Sequence, residues 1–381
     1  MTETLVRLRR GDVVEPTKLT LGDYLTDHWL PMMQRSVRKT TWDSYDRIIR
    51  NHVVPRIGWV PLQDLRAAHL DRLYTDLLRE GNLNKKEGGG LSPKTVRYIH
   101  TTLHKALKDA ERKQLVLRNV AQAADPPKIR AAGSAELTTW SGEEVGTFLK
   151  AMEEHRLYAA YLLAASTGMR RGEVLGLRWI DIDFKARRLA VRQTVTAVNY
   201  RVEIGTPKTA RGRRSIALDS TTVKALQEQL KRQLAERAKV AEGFTDRGLV
   251  FCKPDGSPIH PDYMSQTFDR TVARLGLRRI RLHDLRHTHA TLGLAAGIAP
   301  KIMSDRLGHA TVAFTQDVYM HAIPQLESDA ADQIADLIFA ERTNVIEMAL
   351  TKPDEDETID NAQTSVGGLI AGWSSGSSLG S

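Results

Sequence analysis

The stretch "AQAADPPKIRAAGSAE" near residues 121–136 constrains this 381-residue chain more than any other. Its two adjacent prolines, Pro126 and Pro127, have no backbone N–H to donate, and each disfavours helix in the residue before it. The small residues on either side contribute little to a core. The pattern predicts two folded units joined by a linker at 121–136. Length agrees, since the chain is too long for one ordinary domain.

The two sides differ in period. Residues 1–18, "LVRLRR" included, read as a short basic arm. From 19 to 120 apolar residues recur at helical spacing. Leu21, Leu25 and Trp29 mark one helix, and Trp42, Tyr45, Ile48 and Ile49 mark a second over residues 40–53. A third helix covers residues 69–79, and "EGNLNKKEGGG" is a loop. A fourth starts at Ser92 with Pro93 in its first position. Beyond the linker, Ser141 and Glu144 form a capping box. After "RWIDIDFKARRL" the period drops to two, and "RRLAVRQTVTAV", "YRVEIG" and "RRSIAL" read as three short strands. Helices return at residues 221–240 and from residue 260. "QLESDAADQIADLIFAE" sets Leu326, Ile334, Leu337 and Ile338 near one helix face. The second unit therefore spans 137–345. Residues 346–381, acidic and then Gly/Ser-rich, read as a disordered tail. The fold class is mainly α with a small antiparallel β-sheet.

Charge narrows the partner. The net charge is +9, made up of +9 over residues 1–134, +5 over 135–340 and −5 over 341–381. Two basic blocks point to a polyanion such as nucleic acid. The single cysteine, Cys252, excludes an intrachain disulfide and a Cys-rich zinc module, and it fits a reducing cytoplasm. No apolar run approaches the roughly 20 residues of a membrane span, and the N-terminus lacks a signal-peptide stretch. The expected location is cytoplasmic, with no membrane partner.

"RLHDLRHTHATLGLAAG" holds His283, His287 and His289, with Arg286 among them. His283 and His287 stand four apart, like a helical zinc pair. A zinc protease, however, carries glutamate directly after its first histidine, where this chain has Asp284. Arg286 is also a poor neighbour for a dication. The bland alternative is histidines that cap or pack a helix. The third reading is an anion site, because His283 and Arg286 are three apart and share a helix face. In "STGMRRGEVLGLRW", Arg170 falls in the first turn of a helix with Glu173 one turn on, either as a surface ion pair or as an anion contact. Gly172 and Gly176 would let that helix pack closely. Lys208 sits on a hairpin, His309 follows a helix end at Gly308, and Tyr319 lies in a polar stretch before Pro324. Each signal is weak alone.

In this order, "TGMRRGEVLGL", "PKT…RSIAL", "HDLRHTHAT", "LGH" and the tyrosine resemble the tyrosine recombinase (phage integrase) family of actinobacterial phage and integrative plasmids. The match covers most of residues 137–325. More loosely, "TLGDYLTDHWLPMMQRSVRKTTWDSYDRIIRNHVVPRIG" resembles the SAM-like core-binding domain of those integrases. The resemblance implies a helical core-binding domain followed by an α+β catalytic domain. It implies Arg170 and Arg286 as the catalytic arginines, Glu173 as the acidic residue that steadies the site, and Lys208 as the hairpin lysine. His283 pairs with Arg286, His309 is the second histidine, and Tyr319 is the nucleophile. His287 takes a supporting role, and His289 is assigned to packing. The implied reaction is DNA cleavage and rejoining through a 3′-phosphotyrosine, with no metal, ATP or other cofactor. The implied partners are duplex attachment sites, three further copies in a synaptic tetramer, a directionality factor and a host DNA-bending protein. Lys94, Arg97 and Lys105 share a helix and are candidate DNA contacts.

Rival readings are a type IB topoisomerase, which shares the chemistry, a DNA-binding regulator that has lost catalysis, and a zinc hydrolase. The helical unit and short spacing favour the recombinase over the topoisomerase, and six intact catalytic positions argue against the regulator. Many relatives carry an arm-binding domain before the core-binding domain. Here about 18 residues precede the first helix, which leaves arm-site binding open.

Overall fold

The computed structural model describes residues 15–83, 89–129, 138–198, 200–207, 212–240, 243–309, 311, 334–335 and 338. Two large hydrophobic clusters organise them, one gathering side chains from Leu21 to Ala124 and the other from Trp140 to Leu285. Ala121 and Ala124 are buried in the first cluster, so its packing runs into the stretch read as linker.

The first cluster is built by α1 (residues 21–36), α2 (residues 39–57), α3 (Ala67–Glu80) and α4 (Pro93–Arg112). Helices α1 and α2 each contain a wide π turn, Tyr24–Trp29 and Ile49–Val53. Both turns include the residue four before a proline, Asp27 before Pro31 and Asn51 before Pro55. A proline ring would strike that carbonyl in a regular helix, and the widened turn moves the carbonyl aside. Ser92 caps α4, its Oγ accepting from the Thr95 N–H at 3.2 Å. The Trp29 indole donates to Asp109 at 3.0 Å, and the Tyr24 hydroxyl donates to the Ala106 carbonyl at 2.8 Å. These bonds satisfy polar atoms that α1 carries into the core against α4.

The second cluster begins with α5 (Gly142–Ala151), where both bonds of the Ser141–Glu144 capping box are present. It continues through α6 (Tyr158–Thr167), α7 (Arg171–Leu175), β1 (Ile182–Asp183), β2 (Arg188–Val191), β3 (Thr194–Val198), β4 (Arg201–Gly205) and β5 (Arg214–Ala217). Helices α8 (Ser220–Val240), α9 (Pro261–Leu275), α10 (Asp284–Ala295) and α11 (Pro300–Leu307) follow. The stretch "RRLAVRQTVTAV", read as one strand, is two. It breaks at Arg192 and Gln193; β2 then joins the antiparallel sheet β1-β2-β5, and β3 pairs with β4 in a separate hairpin. Gln193 falls where a continuous strand would turn its next side chain inward after Leu189 and Val191. Helix α7 also presses on β3: a Cβ on Gly172 would lie 2.5 Å from the Val195 carbonyl oxygen. The β3–β4 region touches the first unit, where Arg38 donates to the Pro207 carbonyl at 3.2 Å and Lys39 pairs with Glu203.

The predicted basic arm at 1–18 is described only from residue 15. Of the predicted C-terminal helix, residues 334, 335 and 338 are described and are helical. Lys208, Tyr319 and the 346–381 tail lie outside the described residues. No helix among the described residues is long and apolar enough to cross a membrane.

Candidate active site

Four helix ends meet on the second unit: the C-terminal ends of α6 and α11 and the N-terminal ends of α7 and α10. The sequence places a glycine after each C-terminal end, Gly168 and Gly308, both in the left-handed region at φ 65° and 69°. Helix C-termini leave carbonyls without intrahelical donors. Arg286, only 3% exposed, fills that role for both helices. Its Nη1 donates to the Gly168 carbonyl at 2.8 Å and its Nη2 to the Leu307 carbonyl at 2.7 Å. A Cβ on Gly168 would lie 2.5 Å from Leu307 Cδ2, so the close approach needs glycine as well as the positive φ.

Arg170 stands at the N-cap of α7, one position before the first turn in which its sequence context put it. Its Nη1 donates to Glu173 Oε1 at 2.9 Å, and its backbone N–H donates to Glu173 Oε2 at 3.0 Å. The pair is not a surface ion pair. Glu173 is 4% exposed, whereas the Arg170 side chain remains 43% exposed toward solvent. A second guanidinium completes the clamp, as Arg214 Nη2 donates to Glu173 Oε2 at 2.9 Å. Burial alone would raise the Glu173 pKa, but Arg214 and then Arg170 outweigh it and hold the carboxyl below its usual range. Arg214 also donates through Nε to the Arg306 carbonyl at 2.7 Å, in the last turn of α11.

The histidines occupy the same neighbourhood. His283 is the N-cap residue of α10, and its ring meets His287 edge-on at 5.5 Å. Burial, His287 and Arg286 push the His283 pKa down to about 4, although the residue as a whole is exposed. His309 follows Gly308 and is buried. Burial and the cations Arg286 and Arg170 push its pKa to about 4 as well. Both rings are therefore neutral at pH 7 and can accept a proton. His289 lies behind them and packs as expected. Arg306 Nε donates to its Nε2 at 3.2 Å, which leaves Nδ1 to carry the proton and donate to the Ala165 carbonyl at 2.9 Å.

Of the sequence candidates, the structure brings together Arg170, Glu173, His283, Arg286, His287 and His309. Lys94, Arg97 and Lys105 are exposed on α4 in the first unit, and Arg97 Nη1 also donates to the Pro127 carbonyl at 3.3 Å. Asp284, which weighed against the zinc reading, is buried and gripped by Arg281 through a bidentate pair at 2.8 and 3.1 Å. Among the described residues no group of His, Cys, Asp or Glu could hold a metal ion. Sequence reasoning missed Arg214, Arg281 and Arg306. Arg281 had a readable signal, an i,i+3 partner at Asp284. Arg214 lies in "RRSIAL", a strand and part of the "PKT…RSIAL" motif, which assigns it no role, and its partners are distant in sequence.

Residues 139–325 match the Phage integrase family, and residues 20–78 match the family described as Phage integrase, N-terminal SAM-like domain. A tyrosine recombinase XerC-like protein from Caldanaerobacter subterraneus subsp. tengcongensis is 27% identical over 354 residues, covering 88% of each chain. Among solved structures, the Tn1549 transposon integrase in complex with a circular intermediate DNA superposes with a TM-score of 0.66 at 20% identity, covering 83% of this chain and 99% of that one. A lambda integrase tetramer bound to a Holliday junction gives a TM-score of 0.57 at 18% identity, covering 82% of this chain and 80% of that one.

Proposed function

We propose that this chain, which belongs to the phage integrase family of tyrosine recombinases, cuts and rejoins duplex DNA at attachment sites by forming a 3′-phosphotyrosine on Tyr319. The observation that carries the reading is the meeting of Arg170, Arg286, His283 and His309 at four helix ends, with Arg286 locked and Arg170 left open to a ligand.

The chemistry follows from those groups. A phenol with a pKa near 10 is a weak nucleophile at neutral pH, so its proton must go to a base. His283, neutral in the free protein, takes it as Tyr319 Oη attacks phosphorus. A phosphodiester set against the imidazole adds negative charge, which favours the protonated form. As the P–O5′ bond breaks, Lys208 donates a proton to the leaving 5′-oxygen. Arg170 and Arg286 bind the non-bridging oxygens on which charge gathers, and His309 adds a hydrogen bond. His287 supports His283, and Glu173 steadies Arg170. The phosphotyrosine conserves the phosphodiester energy, so a 5′-hydroxyl from a partner duplex reverses the step without ATP. The roles of Lys208 and Tyr319 rest on their order in the chain and on the family resemblance.

The wider assembly belongs to the same reading. Residues 19–120 form the core-binding domain and 137–345 the catalytic domain; the intervening linker lets both close around DNA. The basic charge of both units and the exposed Lys94, Arg97 and Lys105 support DNA as the partner. The likeness to a tetramer on a Holliday junction supports a synaptic tetramer. A directionality factor and a host DNA-bending protein complete the scheme, which operates in the cytoplasm on the nucleoid. The test is a nicked suicide substrate that traps covalent protein–DNA adduct. Wild type should accumulate adduct, and Tyr319→Phe should bind the duplex with normal affinity and give none. A trapped adduct from Tyr319→Phe would refute the assignment.

A further inference from the structure

We propose that Arg214 is a positioning residue for strand cleavage, holding Glu173, and through it Arg170, in register with His309. The inference rests on the reading above, in which Arg170 and His309 contact the scissile phosphate.

Three observations carry it. First, Arg214 ties its own strand to two helices that carry or lead into catalytic groups. Its Nη2 donates to Glu173 on α7 at 2.9 Å, and its Nε donates to the Arg306 carbonyl of α11 at 2.7 Å. It opens β5, the strand that follows Lys208 in the chain. Second, it is sequestered: its side chain is 7% exposed and that of Glu173 is 4% exposed, against 43% for Arg170. A group so enclosed acts on the phosphate only through its neighbours. Third, its planar fork meets three acceptors in fixed directions, Glu173, the Arg306 carbonyl and, at 3.3 Å, the Gly212 carbonyl, and a lysine cannot reproduce that geometry. Oε2 of Glu173 accepts from both Arg214 and the Arg170 backbone, so a shift of Arg214 moves the cap that aims Arg170. The Arg306 carbonyl lies in the turn that ends at Gly308 and delivers His309, so the same guanidinium fixes the second phosphate contact. Among the described residues, the other cation acting on Glu173 is Arg170, the group being aimed.

Single-turnover cleavage of the nicked suicide substrate, measured beside equilibrium binding to the same duplex, tests the inference. Arg214→Met should slow adduct formation about 10²-fold while leaving DNA affinity unchanged. Arg214→Lys should recover only part of that loss. In the double variant Arg214→Met/Glu173→Gln, the two losses should not multiply, because both break one clamp. The double variant also removes the buried carboxylate left without its partner. If Arg214→Met fails to fold but the double variant folds, Arg214 compensates that charge as stated. Wild-type cleavage by Arg214→Met overturns the inference, as do losses that multiply in the double variant. Failure of both variants to fold also overturns it, by making the role structural. If wild type itself forms no adduct, the recombinase reading fails and this inference falls with it. If wild type cleaves and Arg214→Met cleaves equally well, the inference alone fails.

Discussion

The cations of the two units are built in opposite ways. On α4, Lys94, Arg97 and Lys105 project into solvent from a helix whose other face is core. At the candidate active site, Arg286, Arg214 and Arg306 are held by backbone carbonyls, a carboxylate and an imidazole. Exposed cations are screened and can exchange one phosphate for another, which suits affinity and sliding. Anchored guanidiniums have already lost their rotamer entropy on folding, so they can meet developing charge without further reorganisation. Arg170 mixes the two designs, with its cap clamped and its side chain partly open.

The largest effect should come from breaking an anchor. Arg286→Lys keeps the charge but cannot bridge the Gly168 and Leu307 carbonyls, so two helix ends lose a shared donor. Adduct formation should fall by about 10²–10³-fold, with DNA affinity at fixed salt nearly unchanged. A lysine variant that cleaves at the wild-type rate would mean that charge, and not the locked fork, is what matters at this position.

An intermediate effect concerns the histidine behind the site. His289 is pushed to about pH 4 by burial and by Arg306, whereas an unfolded histidine titrates at about 6.5. The unfolded chain therefore binds the extra proton first as pH falls. The contribution of His289 to stability is complete above pH 6.5 and is lost progressively from about 6.5 down to about 4. Thermal melts across that range should show declining stability, to which His283 and His309 add with the same sign. His289→Leu should make the decline shallower. It should also cost about 1–3 kcal/mol at neutral pH, because Arg306 Nε and the Ala165 carbonyl each lose a partner. An unaltered acid slope in the variant would remove His289 from the anchored set.

These anchors explain what the sequence could and could not reveal. Ser92, Pro93, Ser141 and Glu144 act on their own helix ends, so the starts of α4 and α5 were legible from local spacing. Arg170 with Glu173, and His283 with Arg286, are also i,i+3 pairs, and their order along the chain carried the resemblance. Arg214 reaches partners 41 and 92 residues away, so spacing gave no sign of it. The break between β2 and β3 depends on α7 pressing on β3, another contact between separated segments. The π turns lie between these cases. Pro31 and Pro55 are their local cause, yet apolar periodicity marks only helix over residues 21–29 and 40–53, with no sign of a widened turn.

The smallest effect should come from the exposed set, and it separates the two designs most directly. Lys94→Ala and Lys105→Ala remove side chains that face solvent on α4. If each neutralises one phosphate, the slope of log affinity against log salt should flatten by about 0.9 per substitution, similarly for specific and unrelated duplexes. With DNA saturating, the cleavage rate of either variant should equal that of wild type, because neither lysine touches the reacting phosphate. Binding titrations at several salt concentrations, paired with single-turnover cleavage, give both quantities. A fall in the saturated rate would make α4 part of the catalytic alignment and erase the contrast between the two units. A loss confined to one DNA sequence would instead identify the lysine as reading bases, not phosphates.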